Sequence, residues 1–287
     1  MSSPRRRLDV ELVRRGLTTS REKARTEIER GNVVVAGAPA LKASRLVAPD
    51  EALAVRRAPR RFVGRGGEKL DHALNRFEVA VVGCLVIDAG ASTGGFTDCL
   101  LQRGASKVVA IDVGHGQLHE RLRTDPRVVV RDRTNVRHLT ASDLPSGRPA
   151  DLVVADLSFV SLAVVARALV GLSATHGNLV LLVKPQFEAG RAAATKGRGV
   201  ISDPAVWRSV VVSVRDAFAA EGAAMVSIVT SPILGAQGNV EFLVHLERGG
   251  GVDTETDRDV DVAIDRAMEV ASDMRRKTAT HLLAERR

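Results

Sequence analysis

Lys69, Asp156, Lys184 and Glu241 are two amines and two carboxylates set far apart in the chain, each at a place where an apolar run begins, ends or is about to begin. Asp156 follows the apolar run 151–155 and Lys184 the run 178–183. Glu241 opens the run 241–246, and Lys69 lies on a helix before the first of these runs. Parallel sheets flanked by helices bind ligands outside the carboxyl ends of their strands. A reversed last strand starts at that same edge, so Glu241 joins Asp156 and Lys184 on one rim, within reach of Lys69. Any one of these residues is better explained as half of a surface ion pair. Four on one rim argue against that reading. A lysine takes a proton only as the free amine; partial burial and a nearby Lys69 favour that form of Lys184. Asp156 and Glu241 oppose it and serve better as orienting groups.

The rim also has a cradle. The stretch 84–97, Cys-Leu-Val-Ile-Asp-Ala-Gly-Ala-Ser-Thr-Gly-Gly-Phe-Thr, reads as buried strand, glycine-rich turn and helix start. Asp88 ends the strand. Gly90, Gly94 and Gly95, beside Ser92 and Thr93, let backbone approach a ligand closely, and Phe96 follows at the helix start. Thr93 or Thr97 is expected to cap that helix. The next buried run, from Lys107, ends in Asp112, an acid placed to hold the ribose hydroxyls of a nucleoside cofactor. Asp132, at the end of the third run, is a weaker candidate for the adenine side, and Asp156 borders the cofactor as well as the chemistry. The turn is not G-x-G-x-x-G, which argues against a dinucleotide. His115 and His119 have the spacing of a metal pair on a helix, but no acidic partner motif accompanies them, and no metal is expected.

The elements that must position these groups alternate. Strands are expected at 84–88, 107–112, 127–131, 151–155, 178–183, 224–230 and 241–246, and helices near 68–77, 95–103, 116–123, 161–172 and 204–221. This implies an α/β fold, a parallel sheet with helices on both faces. The last two strands are joined by a loop at 232–239 without a helix and are expected to be antiparallel neighbours. A helix at 258–275 and a mobile end are expected beyond.

With 287 residues the chain can hold two domains. Its charge is uneven: residues 1–61 carry 15 Lys/Arg against 7 Asp/Glu, the whole net charge of +8, while the remainder balances. A basic module on a neutral one suggests a polyanionic partner. No run has membrane-spanning length, and no apolar signal core follows the basic start, so a cytoplasmic location is expected. Cys84 and Cys99 fit neither a zinc site nor a disulfide framework and are expected to be reduced. In the basic module, helices at 8–15 and 21–30 are each stopped by a glycine, with Thr18, Thr19 and Ser20 as cap candidates. Short strands follow at 33–35 and 53–55.

Two resemblances organise these readings. The pattern L-V-x-x-G-L-x-x-S-R-x-x-A…I-x-x-G-x-V-x-V-x-G, from Leu12 to Gly37, resembles the S4-type RNA-binding module. The glycine-rich turn resembles motif I of S-adenosylmethionine (SAM) methyltransferases. Arg65-Gly-Gly-Glu-Lys-Leu70, the turn from Asp88 to Phe96, Asp112-Val-Gly-His-Gly-Gln117, Asp156-Leu-Ser-Phe159, Val183-Lys-Pro-Gln-Phe-Glu188 and Gly238-Asn-Val-Glu241 together resemble the TlyA (haemolysin A) family. Gly64 stands where that family usually has Ser, and Phe62 where Trp is common.

The resemblance implies an S4-like domain at 1–57, a linker at 58–64, an FtsJ-like Rossmann-type methyltransferase domain at 65–250 with seven strands and an antiparallel last one, and a C-terminal helix and tail at 251–287. It implies SAM as cofactor, a Lys-Asp-Lys-Glu catalytic tetrad at Lys69, Asp156, Lys184 and Glu241, and 2′-O-methylation of cytidines in small- and large-subunit ribosomal RNA. RNA contacts are expected from Arg5, Arg6, Arg7, Arg14, Arg21, Lys23, Arg25 and Arg65, with the protein acting as a monomer. The assignment of Lys184 as the base rests on the resemblance. Two other readings are a non-catalytic ribosome-assembly factor, which the intact tetrad opposes, and a membrane-active haemolysin, for which no spanning segment is seen.

Overall fold

The structure, a computed structural model, describes residues 4–56, 61–144, 147–190, 199–249 and 254–284. Its contacts divide the chain into two units, Met1–Arg61 and Phe62–Arg287.

In the first unit, β1 (Arg6–Arg7) leads into α1 (Leu8–Arg14) and α2 (Arg21–Glu29). Then come β2 (Val33–Val35), β3 (Ala38–Pro39), β4 (Leu46–Val47) and β5 (Leu53–Val55). β2 is the centre of a three-stranded antiparallel sheet with β3 and β5, and β1 pairs with β4. Leu8, Leu12, Ala24, Ile28, Val33, Val35 and Val47 form the core. Of the three cap candidates, Ser20 is the one used: its Oγ accepts from the amide of Lys23 at 3.2 Å. The two-residue strands β1, β3 and β4 carry no periodic signal and are legible only in three dimensions.

The second unit begins with α3 (Gly66–Arg76), β6 (Leu85–Ala89), α4 (Gly95–Gln102) and β7 (Lys107–Ile111). It continues with α5 (Glu120–Arg123), β8 (Val128–Arg131), β9 (Ala150–Ala155), α6 (Leu162–Leu172), β10 (Ser173–Val183) and α7 (Pro185–Glu188). It closes with α8 (Pro204–Ala219), β11 (Ala223–Thr230), β12 (Phe242–Arg248) and α9 (Thr254–Ala284). The sheet has seven strands in the order β11-β12-β10-β9-β6-β7-β8; β12 is antiparallel to both neighbours, and the pairs among β10, β9, β6, β7 and β8 are parallel. This is the methyltransferase form of the doubly wound fold.

Successive strand residues enter different cores, which is why the strands read as unbroken apolar runs. Val86, Val108, Leu152, Val180 and Leu243 pack with Phe62, Leu70, Leu74, Phe96 and Leu100, from α3 and α4 and the residues before them. Ile87, Val109, Val153, Leu181 and Val244 pack with Leu162, Leu169, Trp207, Phe218 and Ile264 of α6, α8 and α9.

Several expectations are corrected. Residues 62–64 are part of the second unit rather than linker: Phe62 is buried, and the amide of Val63 donates to Asp98 Oδ2 at 2.8 Å. Residues 57–60 lie outside the described residues. The helix expected at 116–123 shrinks to α5, because Gly116 takes a positive φ of 66° and His119 caps what remains by accepting from Arg121 N through Nδ1. α9 continues well past 275, into the stretch expected to be a mobile tail. Between Asp259 and Thr278 the last buried position is Ala271, and Thr278 Oγ1 donates to Met274 O at 2.9 Å in the turns beyond it. Residues 285–287 lie outside the described residues. Among the described residues, no helix is long and apolar enough to cross a membrane.

Trp207 ties α8 to the start of β12. It is buried edge-on to Phe242, with centroids 6.1 Å apart, and its Nε1 donates to Ile201 O at 3.1 Å. Trp207→Ala is expected to cost about 3–5 kcal/mol in urea unfolding followed by circular dichroism. A loss below about 1 kcal/mol would show that this contact does not hold β12.

Candidate functional site

Sheet register builds the rim. Ala89 pairs with Ala155, so Gly90 and Asp156 follow side by side where strand order reverses between β6 and β9. Val183 pairs with Phe242 across the antiparallel β10–β12 ladder, so the next residues outward are Lys184 and Glu241. Strands β9, β10 and β12 are adjacent, and Asp156, Lys184 and Glu241 leave the sheet at one edge.

The four residues form two ion pairs. Lys184 Nζ lies 2.6 Å from Asp156 Oδ1, and it donates to Ser158 Oγ at 2.8 Å. Lys69 Nζ donates to Glu241 Oε2, with both side chains buried. A Cβ on Gly235 would fall on the Glu241 carboxylate, so that turn closes tightly over the second pair.

Two cavities meet at the rim. One, of about 440 Å³, is lined by Gly90, Ser92, Asp112, Val136, Leu157 and Val165, among others. The other, of about 170 Å³, is lined by Gly64, Arg65, Thr93, Phe96, Asp156 and Lys184 together with Gly95. Gly90, Ser92, Asp156 and Ser158 border both. The large cavity combines a carboxylate with apolar walls, the chemistry that a nucleoside needs for its hydroxyls and its base. Asp112 accepts from the amides of Ser92 at 2.8 Å and Gly114 at 2.7 Å, so the two loops that flank the cavity share this one carboxylate. Gly90, at a φ of 84°, packs so closely that an added Cβ would lie 2.6 Å from the carbonyl oxygen of Asp156.

The remaining expected cofactor residues have other surroundings. Gly94 rather than a threonine stands at the N-cap of α4, in the left-handed region at φ 96°, and a Cβ there would run into Leu118 and Leu122. Thr97 instead donates to Asp88 Oδ2 at 2.6 Å. Asp88 is fully buried and lines neither cavity; its Oδ1 has no hydrogen-bond partner. Burial, aided by nearby Asp156 and opposed by Thr97, raises its pKa to about 7. Asp132 also lines neither cavity. Its carboxylate accepts from Gly116 N and Arg123 at 3.1 Å and lies 3.2 Å from His115 Nδ1, bracing the loop after β7. The two histidines therefore do separate jobs, and no cluster of three or more metal-ligating side chains occurs among the described residues.

Sequence reasoning passed over Ser158, Glu188 and Phe159 as working residues, although they stand in the quoted motifs. Glu188 accepts from Ser161 Oγ at 2.6 Å and Leu162 N at 2.8 Å, tying the segment after β10 to the loop after β9. Phe159 is 91% exposed beside the large cavity, its ring 5.1 Å from that of Phe187.

In the first unit, two buried carboxylates gather the arginines. Asp9 accepts from Arg7 at 3.0 Å, Arg21 at 3.0 Å and Arg25 at 3.4 Å. Burial pushes its pKa up, but the hydrogen bonds and charges of Arg7 and Arg21 outweigh this and hold it at about 2. Glu11 pairs with Arg14 at 2.6 Å and Arg15 at 2.8 Å, and these bonds hold it at about 2 as well. Arg21 and Arg25 remain 53% exposed. Arg5, Arg6 and Lys23 are exposed too, as is Arg65 in the second unit.

The sequence matches the model of the FtsJ-like methyltransferases over residues 62–248 and that of the S4 domain over residues 6–53. It is 48% identical over 255 residues to the 16S/23S rRNA (cytidine-2′-O)-methyltransferase TlyA of Mycobacterium tuberculosis, covering 88% of this chain and 92% of that relative. The chain belongs to the TlyA family. A second family member, the 23S rRNA (cytidine-2′-O)-methyltransferase TlyA of Campylobacter jejuni, is 32% identical over 64% of this chain and 70% of its own length. A solved hemolysin-named structure from Streptococcus thermophilus superimposes with a TM-score of 0.75 at 35% identity, covering 96% of this chain and 99% of that one.

Because the folded state keeps the Asp88 proton from the ordinary 3.8 up to about 7, stability should fall as pH rises through that window and level off above it. Asp88→Asn should remove this fall, which is on the order of a few kcal/mol. Urea unfolding of both proteins at pH 5 and pH 8 checks it; an unchanged pH dependence in the variant would contradict the assignment.

Proposed function

We propose that this protein transfers a methyl group from SAM to the ribose 2′-hydroxyl of cytidines in both small- and large-subunit ribosomal RNA, in the cytoplasm. The observation that carries the reading is the Asp156–Lys184 pair on the wall where the two cavities meet. The names of the two relatives support cytidine 2′-O-chemistry, and the M. tuberculosis relative, the more similar of the two, is named for both RNAs.

When bound, SAM supplies a methyl already activated by its positively charged sulfur. The residues present fit it: Asp112 faces the large cavity for the ribose hydroxyls, and Val136, Leu157 and Val165 offer apolar walls for the base. Gly90, Ser92, Thr93, Gly95 and Phe96 border the amino-acid end. Asp88, Gly94 and Asp132 support this cradle from behind. Lys184, as the free amine, accepts the 2′-hydroxyl proton on Nζ while that oxygen takes the methyl. Asp156 orients Nζ and stabilises the ammonium that results. Lys69 and Glu241 satisfy each other and fix the adjacent edge. Phe159 offers an exposed ring on which the target base can stack. The arginines around Asp9 and Glu11, with Arg5, Arg6, Lys23 and Arg65, hold RNA phosphates.

Lys184→Arg keeps the charge but cannot give up its proton at any working pH. Methyl transfer should fall by about 10²–10⁴ with SAM and RNA binding retained. Single-turnover transfer within a few-fold of wild type would remove Lys184 as the base.

RNA affinity should drop steeply with salt as counterions are released. Arg21→Ala combined with Arg25→Ala should weaken RNA binding and flatten the log–log salt slope by about 1–2, with SAM affinity unchanged. An unchanged slope would place the phosphate contacts elsewhere.

A further inference from the structure

We infer that Ser158 is a positioning residue for Lys184: with Asp156 it aims Nζ at the hydroxyl to be methylated. This inference rests on the reading of Lys184 as proton acceptor. A lysine amine rides on a flexible four-carbon stem, and a misplacement of about 1 Å can cost 10²-fold in rate. Charge attraction to Asp156 sets a distance but not a direction. A free amine has two hydrogens and one lone pair. Ser158 Oγ, accepting at 2.8 Å, fixes one of these directions, whereas Asp156 Oδ1, 2.6 Å away, makes an ion-pair contact without hydrogen-bond alignment. The Phe187 ring, with its centroid 5.8 Å from Nζ, lies on a further side. Lys184 lines the smaller cavity, where the hydroxyl to be methylated is received.

The loop that carries Ser158 is built for the task. Phe159, the next residue, sits at a φ of 66°, a conformation unfavourable for an aromatic residue and kept only where its surroundings impose it. Glu188, on the segment that carries Lys184, holds the same loop two residues further on by accepting from Ser161 Oγ and Leu162 N. The two segments are thereby held in one arrangement, and Ser158 borders both cavities at their junction. As an oxygen acceptor, Ser158 also stabilises the ammonium form of Lys184, so its removal should make Nζ more reactive while leaving it less well aimed.

The test compares full-length wild type, Ser158→Ala, Ser158→Thr and Lys184→Arg. It measures single-turnover methyl transfer to ribosomal RNA, SAM affinity by calorimetry and, without SAM, the rate at which acetic anhydride labels Lys184, read by mass spectrometry. Ser158→Ala should transfer methyl about 10–100-fold more slowly with SAM affinity unchanged, while Lys184 is labelled several-fold faster. A merely loosened loop would give the same opposition, so the decisive comparison is with the variant that keeps the hydroxyl. Ser158→Thr, which keeps the hydroxyl, should recover most of the rate. Wild-type transfer or unchanged labelling in Ser158→Ala, with Lys184→Arg inactive, would overturn the role of Ser158 and leave Lys184 as the base. Equal slowness of the Thr and Ala variants would also overturn it. An active Lys184→Arg would end both readings.

Discussion

The antiparallel register of β12 against β10 is the constraint on which the site depends. In an all-parallel sheet only residues that follow strands reach the ligand edge. Reversing one strand brings a residue that precedes a strand to that edge, and the pairing of Val183 with Phe242 decides that it is Glu241 beside Lys184. A slip of one residue would turn every β12 side chain to the opposite core. Leu243 packs with α3 and α4, and Val244 with α6, α8 and α9, so such a slip is excluded by both layers at once. The position of Glu241 on the rim is thus specified by hydrophobic packing on the two faces of the sheet.

The two ion pairs at this edge differ in exposure, and this argues for different work. Burying a charged pair is often no better for stability than burying apolar side chains, while removing one partner leaves a charge uncompensated and is strongly destabilising. Lys69–Glu241 is enclosed and fits a role in holding α3 to the sheet edge. Asp156–Lys184 opens on a cavity, has a hydroxyl beside it, and is the pair that a substrate can meet. Similar residue types thus make an enclosed pair in one case and a cavity-facing pair, the one proposed for chemistry, in the other.

The large sheet was legible in the sequence because it is buried on both faces. Its strands are uninterrupted apolar runs, and of the polar residues that close them Asp112, Asp156 and Lys184 line the cavities. Elements without that signal were less legible. α5 is a single turn after a loop that Gly116 bends. The first residues of β10 precede an irregularity between Ser173 and Asn178, and from Ser272 to Thr278 α9 has no buried position. Asp88 and Asp132 read as ligand residues because they close apolar runs, and nothing local shows that Thr97 and Arg123 engage them instead. Ser158 went unmarked because a serine in a loop has no pattern of its own; only its distance to Lys184 marks it out.

The account stands or falls on the chemical position of the methyl group. The most direct measurement is mass-spectrometric mapping of ribose methylation in ribosomal RNA from cells with and without the gene for this chain. The account predicts 2′-O-methylcytidine in both the small- and large-subunit RNA that disappears with the gene and returns with the wild-type protein but not with Lys184→Arg. Identical ribose methylation in the two strains, or a lost methyl that maps to a base nitrogen or carbon, would contradict it.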